Sequence, residues 1–340
     1  MDKVIWLMLD SRNVGGIESH VGQLAKALHC RGYDVWVVFW RLYGVAHPLR
    51  SELQQSGIKT LLLGGSPWRF VRALRRCKPR IVHTHGYKAG LVGRLLSWSG
   101  GASVVSSYHA GETPTGRVWL YDWLDRQSAY LCRARIAVSE AIAERLPCSA
   151  SVINNFVQPS TQSSDDTSSE RQIAFVGRLS DEKAPDRVLK IAAQLPHQQF
   201  HIYGGGPLLS QLQSRVPDNV VFHGEVADMN QRWPAIGLLL IPSRAEGLPM
   251  VALEAMAHGA SVIASPVGGL PSLLSDVDGC SLLDGDDIAG WAAAIEQYQQ
   301  LSDMNKQPLA QKAKAKIARE YSTTAILPQF EHIYAEALKG

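Results

Sequence analysis

Cysteine is scarce in this chain and falls into no pattern. Cys30, Cys77, Cys132, Cys148 and Cys280 never form a CxxC or a Cys/His ligand spacing, which excludes a disulfide framework or a Cys-based zinc site and suits the reduced thiols of a cytoplasmic protein. Long apolar runs are missing too: nowhere do 18 apolar residues follow one another, so no segment reads as a bilayer-spanning helix. The N-terminal run Val4 to Leu9 is too short for a signal-peptide core, has no small-residue cleavage site and stops at Asp10, so it reads as a first strand. No GxGxxG is present, which argues against a dinucleotide-binding loop.

What is there belongs to a folded body. An apolar fraction of 46% with a net charge of +3 leaves no room for a largely disordered chain, and 340 residues suit two domains of about 150 each. Short Val- and Ile-rich runs at 4–9, 34–40, 60–64, 80–86, 103–109, 134–139 and 151–155 alternate with helical patterns such as Ile17, Val21, Leu24, Ala25 and Leu28. The polar stretch from Pro159 to Glu170 has nothing to bury and reads as a linker. The alternation then restarts near 172–177, 199–204, 219–223, 236–242, 260–265 and 280–283. Strand alternating with helix predicts parallel sheets covered on both faces. The expected organisation is therefore α/β, with a first domain over 1–164 and a second over 171–320. After Pro308 and a Lys-rich helix at 309–319, a last helix at 325–338 is expected to pack back on the first domain.

Charge divides unevenly. Residues 1–164 hold 20 Lys/Arg and 10 Asp/Glu, the remainder 14 and 21. A basic first half suits an anionic partner such as phosphate-bearing lipid or nucleic acid, and equally a merely solvated basic face. The segment from Trp68 to Arg76 is basic with apolar residues at helical spacing, which suggests peripheral contact with an anionic membrane.

The sharpest local signal is the run from Glu246 to Gly259, EGLPMVALEAMAHG, which follows a strand and opens a helix. Glu246 falls in the loop and Glu254 within the helix, flanking an N-terminus whose unpaired N–H groups suit hydroxyl-rich or anionic ligands. Phe175 to Ala184, FVGRLSDEKA, places Arg178 and Lys183 on one strand-to-helix loop, where two fixed cations suit an anionic group. Val14 to Ser19 sets Gly15 and Gly16 between a strand and a helix, where the backbone approaches an oxyanion closely or simply turns. His83-Thr84-His85 and Ser107-Tyr108-His109 end two strands, positions more often filled by hydrogen-bonded core histidines than by catalysts.

Together these segments closely resemble the retaining glycosyltransferases of family 4, which have the GT-B fold: two Rossmann-like domains with parallel sheets facing a central cleft. The Glu-x7-Glu frame, its continuation Ala264-Ser265-Pro266-Val267-Gly268-Gly269 and the V-G-R-L-x-x-x-K stretch carry the resemblance. It implies a sugar donor activated as a nucleotide diphosphate, with uridine as the base and a hexose or N-acetylhexosamine as the sugar. Glu254 would hold the ribose hydroxyls, Glu246 would sit at the donor sugar, and Gly247, Leu248, Pro249, Met250 and Val251 would line sugar and diphosphate. Arg178 and Lys183 would take the departing charge, Gly15 and Gly16 would face the phosphates, and His109, favoured over His85, would approach the sugar hydroxyls. The runs Tyr203 to Pro207 and Phe222 to Val226 resemble the segments around the base, with Gly205, Glu225 and Val226 as candidate contacts. The chain departs from the family pattern at Asn154 and Phe156 in an interdomain turn and at Ser272 after the Gly-Gly turn.

The reaction implied is front-side transfer with retention, to a hydroxyl of a glycan or lipid-linked acceptor in surface polysaccharide or lipopolysaccharide synthesis. No Asp-x-Asp motif appears at a strand end, and Asp286-Asp287 suits a helix start, so neither a metal nor another cofactor is expected. Nucleic acid is not an expected partner. A sugar-nucleotide epimerase on the same fold, or a binding module without catalysis, are the competing readings.

Overall fold

The computed structural model describes residues 4–11, 15–43, 47–111, 116–159, 171–226 and 228–339. Val14, most of the Pro159 to Glu170 stretch read as a linker, and Ala227 lie outside them. The chain divides into two compact units, residues 1–156 with 323–340 and residues 157–322.

The first unit runs β1 (Val4–Ser11), α1 (Gly16–Cys30), β2 (Asp34–Leu42), α2 (Pro48–Gln55), β3 (Lys59–Leu62), α3 (Pro67–Cys77), β4 (Ile81–His85), α4 (Tyr87–Ser97), β5 (Ser103–Tyr108), α5 (Gly116–Gln127), β6 (Ala134–Ala137), α6 (Glu140–Ala143) and β7 (Ser151–Val152). Its seven strands are ordered β3-β2-β1-β4-β5-β6-β7. Alternate residues of β1 explain the two layers: Ile5, Leu7 and Leu9 join α1 and α2 in one core, whereas Trp6 and Met8 join Phe70 and Leu74 of α3 in another. A strand buried on both sides is what a helix-covered parallel sheet demands.

The second unit runs β8 (Gln172–Val176), α7 (Pro185–Gln194), β9 (Phe200–Tyr203), α8 (Leu209–Gln213), β10 (Val220–Gly224), β11 (Ile236–Ile241), α9 (Met250–Ala257), β12 (Ser261–Ala264), α10 (Leu270–Leu274), β13 (Ser281–Leu282), α11 (Ile288–Gln299) and α12 (Asp303–Glu320). Its sheet is ordered β10-β9-β8-β11-β12-β13. In both sheets each recorded pairing is parallel and the order reverses beside the first strand. Open doubly wound sheets bind ligands beyond the carboxyl ends of their strands at such a reversal. Here that means the loops after β8 and β11 in the second unit, and those after β1 and β4 in the first.

Pro308 lies inside α12 instead of before it. The helix starts earlier than its Lys-rich part, and proline forfeits one hydrogen bond where the remaining turns hold. The last helix, α13 (Thr323–Lys339), belongs to the first unit. Its Phe330, Tyr334 and Ala337 are buried in the core that contains Leu7 and Val105, and Ser103 Oγ donates to the carbonyl of Ala337 at 2.7 Å. Among the described residues no helix is long and apolar enough to cross a membrane.

Candidate functional site

In the second unit the loop after β8 is shaped by the glycines at the end of β9. Leu179 N–H donates to the carbonyl of Gly205 at 2.8 Å and Gly177 N–H to that of Tyr203 at 2.9 Å. A Cβ on Gly204 would sit 1.9 Å from the carbonyl oxygen of Gly177, and one on Gly206 2.5 Å from that of Leu179. Only bare backbone permits this approach. Gly205 meets the other neighbour, since its Cβ would lie 2.8 Å from Cγ of the exposed Glu225. Val226 follows, half-buried. After Ser180 the loop makes a single 3-10 turn, Asp181–Lys183, and Ala184 adopts φ 51° before Pro185 starts α7. A non-glycine residue held left-handed stores about 1–2 kcal/mol, which the surrounding structure must offset.

What holds that turn is the loop after β11. Arg244 N–H donates to the carbonyl of Glu182 at 2.8 Å, its guanidinium to that of Asp181 at 2.7 Å, and both its terminal nitrogens reach the Asp186 carboxylate at 3.1 and 3.0 Å. Arg187, reaching back from α7, donates to the carbonyl of Pro242 at 2.9 Å and pairs with Asp286. The carboxylate of Asp186 is held below the usual range: burial works against this, and the Arg244 contact outweighs it.

Lys183 and Glu246 then meet. Lys183 Nζ lies 2.7 and 2.6 Å from the two carboxylate oxygens, and Ser243 Oγ donates to Oε1 at 2.7 Å. The Glu246 side chain is 5% exposed and that of Lys183 30%. The Gly-Gly turn supports this arrangement from below: a Cβ on Gly268, at φ +58°, would fall 2.3 Å from the carbonyl oxygens of both Glu246 and Gly247, and Gly269 N–H donates to Gly247 at 2.6 Å.

By residue type alone Arg178 and Lys183 are like cations and Glu246 a separate carboxylate. In the structure Lys183 is neutralised by Glu246, whereas Arg178 is exposed and enters no salt bridge among the described residues. Gly247, Leu248, Pro249 and Met250 are buried and lead into α9, with Val251 half-buried. Pro249 caps that helix and carries no N–H, so an amide cradle here can use Gly247, Leu248, Met250 and Val251 but not the proline. Helix geometry leaves the N–H groups of Met250 and Val251 without intrahelical acceptors. Glu254 stands half-buried on the next turn of α9.

The first unit gathers histidines. His83 bonds Tyr334 Oη through Nδ1 at 2.7 Å and Ser107 Oγ through Nε2 at 2.8 Å, and His85 Nδ1 lies 3.1 Å from His109 Nε2. His20, on the inward face of α1, approaches the His109 ring edge-on at 4.8 Å. Burial pushes His109 down to about 4 and His83 to about 3, and takes His20 and His85 well below the ordinary imidazole value. All four are therefore neutral at pH 7. His83 and His85 are fully enclosed and His109 only partly, so His109 is the member able to meet a ligand. Ligand atoms of His20, His85 and His109 lie within 4.8 Å of one another, a set of neutral imidazoles of the type that binds divalent metals. Gly15 and Gly16 begin α1, but the Gly15 N–H is already taken by Glu18 Oε2 at 3.0 Å, and Glu18 is raised above its ordinary value chiefly by burial.

Arg244 and Arg187, which tie the loops together, escape sequence reading because nothing local marks a guanidinium that reaches a distant carbonyl. His20 was legible as an inward position, next to Val21 on the apolar stripe of α1.

Residues 14–160 match the family model described as Glycosyltransferase Family 4, and residues 170–300 the one described as Glycosyl transferases group 1. A D-inositol 3-phosphate glycosyltransferase of Mycobacterium bovis is 34% identical over 184 residues, a match covering 49% of this chain and 38% of the relative. The chain thus spans well under half of that relative's length. HepE of Anabaena, solved with UDP-glucose, superposes with a TM-score of 0.83 at 19% identity over 98% of this chain and 99% of its own. TarM of S. aureus, solved with UDP and α-GlcNAc-glycerol, gives 0.82 at 14% identity over 98% and 99%. The two parallel-sheet Rossmann-like units are those of GT-B glycosyltransferase structures.

Proposed function

The chain belongs to the group 1, family 4 glycosyltransferases, and from that membership we propose that it transfers a hexose or N-acetylhexosamine with retention from a uridine-diphosphate sugar to a hydroxyl of a glycan or lipid-linked acceptor in surface glycan synthesis. The observation that carries this reading is the stitched pair of loops at the sheet reversal, in which Lys183 and Glu246 are fixed against each other while Arg178 stays unpaired by any carboxylate among the described residues.

Arg178 forks onto the diphosphate, because an exposed guanidinium loses nothing by turning to it. Lys183 shares its charge between Glu246 and the phosphates, and Glu246 faces the sugar where positive charge grows at the anomeric carbon. The free amides at the start of α9 take sugar and phosphate oxygens, Glu254 takes the ribose hydroxyls, and Gly205, Glu225 and Val226 border the base. In the first unit His109, being neutral, hydrogen-bonds a sugar hydroxyl more readily than it attracts a phosphate. The bond from the anomeric carbon to the β-phosphate oxygen breaks as the acceptor oxygen bonds to the same face, and the acceptor proton passes to the departing phosphate. The residues fixed around the leaving group supply the charge stabilisation that a divalent cation supplies elsewhere, so turnover persists in EDTA.

Release of UDP dependent on acceptor, with NMR assignment of the anomeric configuration of the product, tests the reading. A thermal-shift panel of nucleotide sugars precedes it, since a ligand at about 100 times its Kd adds about 2.7 kcal/mol of stability. An inverted product, or no stabilisation by any uridine-diphosphate sugar, refutes it.

A further inference from the structure

Helix α5 buries acidic side chains and exposes apolar ones. Its buried positions are acidic: Asp125 pairs with Arg94 of α4, which also donates to Ser106 Oγ at 2.9 Å and Tyr108 Oη at 3.2 Å, and Asp122 pairs with Arg126 at 2.5 Å. Gly90 lets Asp125 come this close, since a Cβ there would meet its carboxylate at 2.2 Å. Val118, Trp119, Leu120 and Tyr121, which run round the whole circumference near the start of the helix, and Trp123, one turn on from Trp119, are each between 41% and 49% exposed. A helix tied to its neighbour through the Arg94–Asp125 ion pair, with its indoles exposed, leaves a large apolar area in need of cover.

The neighbouring surface says what covers it. Helix α4 lies between α3 and α5 and packs against both. Trp68 at the start of α3 is 85% exposed, and Trp98, in the 3-10 turn that packs on α3, is 92% exposed. Helix α3 buries Phe70 and Leu74 and turns Arg69, Arg72, Arg75 and Arg76 to solvent, with no acidic residue along its length. Over residues 67–135 there are 12 Lys/Arg and three Asp/Glu. Of those three, Asp122 and Asp125 are buried in ion pairs and Glu112 lies outside the described residues. A second copy laid on this face would set arginines against arginines, whereas an anionic lipid surface matches both the exposed indoles and the basic rim.

We infer that the α3–α4–α5 face of the first unit is a docking surface for anionic membrane, with Trp119 and Trp123 entering the headgroup layer and the α3 arginines setting the preference for negative lipid. The inference takes its purpose from the proposed lipid-linked acceptor, but its observations are independent of that reading.

Co-sedimentation of the full chain with vesicles of phosphatidylcholine alone, or with 30 mol% phosphatidylglycerol (about a third anionic, enough for a substantial surface potential), tests it. The wild type should partition onto the anionic vesicles and release as salt rises. W119S/W123S should lower partition about tenfold or more without removing the salt dependence. R72E/R75E should abolish the anionic preference, each lost positive charge alone being felt about fivefold. Thermal shift by uridine-diphosphate sugars is measured on the same variants and should be unchanged. If the wild type binds vesicles but no nucleotide sugar, the catalytic reading falls and this one stands. Equal recovery with neutral and anionic vesicles, indifference to W119S/W123S, or a lipid-free wild-type dimer that W119S/W123S dissociates in sedimentation velocity would each overturn it.

Discussion

Replacing Lys183 by Met separates two roles that a kinetic assay alone confuses. Glu246 keeps only about one-twentieth of its side-chain exposure and, without the ammonium, retains the Ser243 hydroxyl as its remaining recorded side-chain partner. Breaking a fully buried ion pair by removing one partner costs about 3–5 kcal/mol. Lys183 is itself 30% exposed, so water replaces part of the lost contact and about 2 kcal/mol is the appropriate scale. For a unit of this size that lowers Tm by about 4–8 °C. Arg178→Met, at an exposed position, should stay within about 0.5 kcal/mol of wild type. Both should lose about 10²-fold in turnover at saturating donor, the scale on which one fixed electrostatic donor is felt. The double variant K183M/E246Q should regain much of the stability, because a neutral amide is far easier to bury than an unpaired carboxylate, yet regain no activity. Differential scanning calorimetry and steady-state kinetics in EDTA decide it. Equal Tm for Lys183→Met and Arg178→Met would show that the ion pair does not contribute in solution, and near-normal turnover in Arg178→Met would remove the leaving-group argument.

Glu246→Gln should chiefly lower kcat, because charge grows beside it during transfer, while Glu254→Gln should chiefly raise the donor Kd measured by calorimetric titration; turnover intact in Glu246→Gln would refute the first assignment. Gly268→Ala should destabilise by about 2–4 kcal/mol and weaken donor binding together, since its methyl group would meet the carbonyls of Glu246 and Gly247 in a left-handed backbone; an unchanged urea midpoint would show that the turn gives way freely. The histidine cluster makes the first unit acid-sensitive. His83 is depressed to about 3 in the folded state against about 6.5 unfolded, so below about 6.5 the unfolded chain binds more protons, and stability present at pH 7 is lost progressively as pH falls towards 3. His83 alone accounts for about 2 kcal/mol of that loss at pH 5, and a Tm independent of pH between 7 and 5 would contradict its burial as a neutral ring.

The sheets were legible because their physics is local. Buried parallel strands are short Val- and Ile-rich runs, and all thirteen runs picked out by composition correspond to strands, two of the four edge strands being shortened to Ser151–Val152 and Ser281–Leu282. The site was legible only as residue types on loops. Arg178, Lys183 and Glu246 announce charged loops, but that Lys183 reaches Glu246, 63 residues away in sequence, depends on β8 and β11 lying side by side, which no spacing rule contains. The acidic buried positions of α5 were hidden for a related reason: Asp122 and Asp125 look like a solvated helix edge until Arg94 is found buried against Asp125.

These long-range contacts also bear on how rigid the loops are. Arg244 and Arg187 bond backbone carbonyls of the opposite loop, Glu182 and Asp181 in one direction and Pro242 in the other, and each is anchored by a carboxylate, Asp186 or Asp286. Neither guanidinium is then free to follow a ligand. They hold the turn that ends in left-handed Ala184 and so limit the reach of the Lys183 stem; if Lys183 acts on a leaving group as proposed, the developing charge would meet a dipole already in place. Such preorganisation avoids reorganisation during the reaction, which is where electrostatic catalysis gains most over water. By this argument Arg244→Lys, which keeps the charge and loses the fork, should lower turnover without altering the groups that touch the donor, and Arg178, held by no carboxylate among the described residues, is the cation left to move.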